Sequence, residues 1–142
     1  MNALPPDCVR WITRNGEDND CGIAAISLAT GHSYEQVLGV AVGLNPSVLM
    51  SGMSNKEIRA TLTELGYDSK VRRKFDLEED TGVLIIEDHR QERHAVYLWE
   101  GRIIEPSLGR RSLWLDANNY LLSEKSKAVW LIEPKLHKEE GE

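Results

Sequence analysis

The spacing of apolar positions changes period about halfway along the chain. From Cys21 to about Leu65 it follows a helix; from Gly82 onward it alternates as strands do. The first segment, "CGIAAISLAT" (21–30), turns Ile23, Ile26 and Leu28 inward, with Ala24, Ala25 and Ala29 allowing close packing. Asp20 stands at its N-cap, and Gly31 is where the chain can turn left-handed and stop. Ser33 and Gln36 form a capping box for a second helix to about Val42. Ser54 and Glu57 form another, opening a third helix with Ile58, Leu62 and Leu65 on one face and Gly66 at its end.

The later segments "GVLIIE" (82–87), "HAVYLW" (94–99), "RIIE" (102–105) and "AVWLI" (128–132) read as strands. Glu100-Gly101 joins the middle two as a hairpin. Asp116 caps a short helix, Ala117 to Leu122. Ahead of the helices, "CVRWIT" (8–13) reads as a short strand before an Asn15-Gly16 turn. Helices first and antiparallel strands second predict an α+β fold, N-terminal helices packed on a C-terminal antiparallel sheet. No repeat or linker divides the chain, so residues 1–134 form one domain. "KLHKEEGE" (135–142) is expected to be a charged, flexible tail.

Composition narrows the function. In 142 residues, 41% apolar and 28% charged content describes a globular domain. A net charge of −6 argues against nucleic acid as a partner, since phosphates require a basic face. No apolar run nears the roughly 20 residues of a membrane span. "MNALPPDCVRW" has neither the basic nor the apolar region of a secretory signal, so a cytoplasmic location with reduced Cys8 and Cys21 is expected. No Cys/His cluster has ligand spacing, and neither a metal nor another cofactor is expected. Oligomeric state is not legible.

The candidate chemistry begins at Cys21, in the first turn of its helix. Backbone N–H groups there stabilise a thiolate and can donate to an oxyanion. An ordinary thiol is only about 3% ionised at pH 7, so a nucleophilic cysteine needs such help. Glu17, Asp18 and Asp20 act in the opposite sense, and a cationic partner is required. Cys21 is thus either a nucleophile or a small hydrophobe at the edge of the core. Of four histidines, His137 lies in the tail, His32 in a turn and His89 in a polar loop. His94 opens a strand, a rigid element that could present it. Glu105 ends the neighbouring strand, where it could hold an imidazole tautomer. Each also has an ordinary structural explanation: a strand histidine and a strand-end carboxylate. "KVRRKF" (70–75) reads as a solvated strand end, and the tryptophans as core.

Taken in order, "NDCGIAAISLATG", "SNKEIRATLTELGY" and "HAVYLWEGRIIEPSLGR" resemble the papain-like cysteine peptidases, most closely the C39-like, bacteriocin-processing type. "NDC" with "TGHSYEQV" also resembles small standalone phage and bacterial proteins of that type. The resemblance runs from about Asn15 to Gly109. It implies a papain-like fold, a peptide or protein substrate, and Cys21 as nucleophile. His94 would be general base and acid, and Glu105 the orienting acid. The family has glutamine where Asn15 stands, completing the oxyanion hole, and aspartate where Glu105 stands. Asn19 is a second amide nearby. Both substitutions keep the functional group and alter its reach. The implied reaction is acyl transfer through a thioester, by hydrolysis, deamidation or transamidation. A binding module on the same fold is the alternative.

Overall fold

The structure is a computed structural model, and it describes residues 20–104 and 115–136. Helix α1 (Cys21–Thr30) begins and ends as its sequence predicts. Gly31, at φ 83°, closes it by donating its N–H to the Ser27 carbonyl at 2.9 Å. At the other end the Asp20 carbonyl accepts the Ala24 N–H, yet the Asp20 side chain does not cap the helix. It is fully buried and accepts a 2.6 Å hydrogen bond from the Tyr34 hydroxyl.

Helix α2 (Tyr34–Leu44) and helix α4 (Asn55–Glu64) carry the two predicted capping boxes, each with both reciprocal bonds formed. Between them lies a single turn, α3 (Val48–Ser51), too short to carry a helical period in the sequence.

Strands β1 (Tyr67–Arg72), β2 (Thr81–Asp88), β3 (Arg93–Trp99), β4 (Arg102–Ile104), β5 (Leu115–Asp116) and β6 (Ser126–Leu136) form one antiparallel sheet in the order β1-β6-β2-β3-β4-β5. Helix α5 (Ala117–Ser123) precedes β6 and is capped by the Asp116 carboxylate, which accepts the Asn119 N–H at 3.0 Å. The β3–β4 hairpin turns on Glu100 and Gly101, both at positive φ (43° and 87°), as a type I′ turn requires.

β1 includes the first half of the basic run. Arg72 pairs with Asp80 and Glu133, and Arg73 lies over the Trp130 ring. β6 extends beyond the apolar run that marked it, through Pro134 to Leu136, past the domain end read at residue 134. Pro134 is tolerated because β6 pairs with β2 only as far as Ile132; beyond that its neighbour is β1 alone.

Strand alternation divides the core between the two faces of the sheet. Val83, Ile85, Ala95 and Ile132 pack beneath α1, α2 and α4 with Ile23, Ile26 and Leu62. Leu84, Ile86, Val96 and Leu98 pack on the other face with Ala117 and Tyr120 of α5. The β2–β6 register breaks between Ile85 and Ile86: Ile85 faces Trp130 and Ile86 faces Ala128, which leaves Val129 as the bulged residue. On its other side, β2 sets the same two residues opposite Ala95 and His94. A bulge sharpens local twist, and this one lies level with the end of β3 that carries the candidate histidine.

Candidate active site

Cys21 is the first residue of α1, half-buried, and packed against the helix-side core. It also lines an open cleft of about 440 Å³. Three parts of the fold build that cleft. Helix α1 brings Cys21 and Gly22. The α3–α4 turn brings Gly52, Met53 and Ser54, with Asn55 and Lys56 from the start of α4. The sheet brings Ile85, Arg93, His94 and Ala95. The α1–sheet side of the cleft therefore joins the nucleophile candidate to the histidine candidate, 73 residues apart in sequence.

Gly22 has a steric reason to be glycine. A Cβ there would sit 3.1 Å from Met53 Sδ and 3.3 Å from Met53 Cβ. Gly52, at φ 79° and ψ −173°, makes the turn that carries the chain into Met53. The sequence reading found neither Met53 nor Lys56 nor Arg93 as part of the site. The signal it passed over was "SGMSN", a glycine turn running directly into a capping box.

His94 occupies a particular position. By strand alternation it belongs with Val96 and Leu98, on the α5 face, whereas Arg93 and Ala95 belong to the α1 face. It is the second residue of β3, at the strand's end. It lines the Cys21 cleft, and also a second opening of about 410 Å³ with Tyr120, Glu124 and Asp88. His94 thus lines both openings.

The electrostatics of the rim are set by a few pairs. Arg93 Nε lies 3.2 Å from Glu87 Oε1, and Lys127 Nζ lies 3.8 Å from Glu87 Oε2. At the start of α4, Glu57 is held below the ordinary carboxylate range, first by the Ser54 backbone N–H and then by the Asn45 side-chain amide. Asp88 is likewise lowered, chiefly by the Glu92 backbone N–H. His32 sits in the α1–α2 turn with its ring perpendicular to that of Tyr67, centroids 6.1 Å apart, and His89 is exposed in the β2–β3 turn. No group of three or more metal-ligating side chains is present among the described residues. No described helix is long and apolar enough to cross a membrane.

Asn15, Asn19 and Glu105 lie outside the described residues, as do the first predicted strand and Cys8. The last described residue before Glu105 is Ile104, which is buried and pairs with Tyr97, three positions along β3 from His94.

No protein-family model matches the chain, and no curated protein matches it significantly. Among solved structures, it is similar to the peptidase domain of Streptococcus ComA, a bi-functional ABC transporter involved in a quorum-sensing pathway. The TM-score is 0.59 and the identity 14%, covering 91% of this chain and 99% of that one. At that identity the likeness establishes the fold: α+β, of the papain-like kind.

Proposed function

We propose that the protein is a cysteine-dependent peptidase or amide hydrolase in which Cys21 is the nucleophile, His94 the proton carrier and Glu105 the orienting acid. The observation that supports this most directly is that Cys21, at a helix N-terminus, and His94, at a strand end, line one open cleft. The papain-like fold, shared with a peptidase domain, supports the same reading.

In this account the Cys21 thiolate attacks a peptide or amide carbonyl. The first N–H groups of α1, with an amide from Asn15 or Asn19, stabilise the oxyanion. His94 gives its proton to the leaving amine as the C–N bond breaks. Water, deprotonated by His94, then takes the acyl group from sulfur and restores the thiolate beside the protonated imidazole. Deamidation or transamidation of a side chain would use the same thioester, with a side-chain amide as donor or an amine in place of water.

The altered amide and acid positions, Asn15 and Glu105, favour a second reading, a binding module that retains the fold. Incubation with a peptide library, read by mass spectrometry, separates them. Turnover that disappears in Cys21→Ala and falls at least about a hundredfold in His94→Ala supports the enzyme. Full turnover in Cys21→Ala ends that reading. A mass change of about one dalton without chain cleavage identifies deamidation.

A further inference from the structure

The cleft at Cys21 differs in charge from the rest of the chain. The protein carries a net charge of −6, yet the described lining of this cleft contains two basic residues, Lys56 and Arg93, together with His94, and no acidic residue. Among the described residues, the acidic groups of the neighbouring segments have partners of their own. Glu57 binds the Ser54 backbone and the Asn45 amide. The buried Asp20 carboxylate accepts the Tyr34 hydroxyl. Glu87 lies between Arg93 and Lys127, so those three side chains together carry a net positive charge. Lys56 is exposed on the first turn of α4, across the cleft from β3. The N-terminus of the ten-residue helix α1 opens at the same cleft and adds to the positive potential, while that of α4 is offset by the Glu57 carboxylate.

We infer that this cleft selects peptides bearing an acidic side chain next to the bond that Cys21 attacks, with Lys56 and Arg93 as the residues that recognise it. The inference rests on the reading of Cys21 as the reacting group, and it names the substrate class. A carboxylate between two cations on opposite walls gains from both, while a basic substrate residue is repelled by both.

The test uses two small alkylating agents of similar reach, iodoacetate and iodoacetamide, which differ in charge. Rates at Cys21 are followed by peptide mass spectrometry in the wild type, Lys56→Gln, Arg93→Gln and the double variant. The ratio of the two rates cancels the thiolate fraction, so it reports cleft charge whether or not His94 activates the thiol. The pH profile of the iodoacetamide rate alone tests the activation separately.

The expected ratio exceeds that of a small-molecule thiol. It falls about two- to threefold with each substitution at low ionic strength, further in the double variant, and falls with added salt. A ratio equal to that of a small thiol, or unmoved by either substitution, overturns the inference. So does a Cys21 that neither reagent reaches. Protection of Cys21 by blocked tripeptides identifies the source of the carboxylate. Protection by a peptide with aspartate and an amidated C-terminus supports it; protection only by an asparagine peptide with an unblocked C-terminal carboxylate overturns it.

Discussion

Gly22 and Met53 touch so closely that a single methyl group on residue 22 would come within 3.1 Å of the methionine sulfur. This contact seats the α3–α4 turn against the helix that carries Cys21, and both residues line the cleft. In Gly22→Ala, the gain in helix propensity is offset by that crowding. In a Met53→Ala background the 3.1 Å sulfur contact is gone and only the 3.3 Å Cβ contact remains, so the same substitution should be more favourable than in the wild type by about 1 kcal/mol. Urea denaturation of the four proteins in the cycle should give a coupling of about 1 kcal/mol; additive effects would show that the contact carries no strain.

The Asp20–Tyr34 bond joins the residue before Cys21 to the first turn of α2. Removing the hydroxyl in Tyr34→Phe takes one donor from a buried carboxylate, at a cost of about 2 kcal/mol. Thermal unfolding should show it as a drop of several degrees. An unchanged midpoint would mean that the hydroxyl contributes nothing net.

The Glu57 box gives a pH signature. Its folded pKa lies below its unfolded value, so its contribution is fully present above the unfolded pKa, about 4.3, and is lost as pH falls through the folded value. Glu57→Ala should therefore cost about 1 kcal/mol at neutral pH, and the difference from wild type should shrink below about pH 4. A cost independent of pH would assign the effect to packing.

Glu100 occupies the first left-handed position of the β3–β4 turn. Asparagine enters that region more readily than glutamate and is preferred before glycine in this turn type. Glu100→Asn should stabilise by roughly 0.5–1 kcal/mol, read as a higher denaturation midpoint. No change, or a loss, would point to a tertiary role for the glutamate.

The elements that the sequence announced were those with strong local signals. Both capping boxes depend on side-chain to backbone bonds within three residues, and the end of α1 on a left-handed glycine; these appear as read, whereas Asp20 precedes α1 without capping it through its side chain. The β3–β4 hairpin likewise follows from a two-residue turn between apolar alternations. The parts missed depend on distant partners. β1 has Tyr67 and Val71 facing the core with Ser69 between them, too sparse a pattern to identify without β6 beside it. The end of β6 was hidden by Pro134, whose tolerance depends on β2 having already ended its pairing.

The candidate site shows the same division. Cys21 was legible from its helix start and His94 from its strand. Met53, Lys56 and Arg93 join them only through tertiary folding, so nothing local marked them as lining the cleft. Nor could strand alternation read along one segment show that His94 lines two openings. That required the sheet, the bulge at Val129 and the helices on both faces.

The central claim is that Cys21 and His94 form a thiolate–imidazolium pair, and the most direct test is the rate of Cys21 alkylation by iodoacetamide as a function of pH, in the wild type and in His94→Ala. The account predicts a Cys21 that stays reactive well below pH 7 and loses that low-pH reactivity when His94 is removed. A Cys21 that titrates as an ordinary thiol near about 8.5, with the same profile in both proteins, would contradict it.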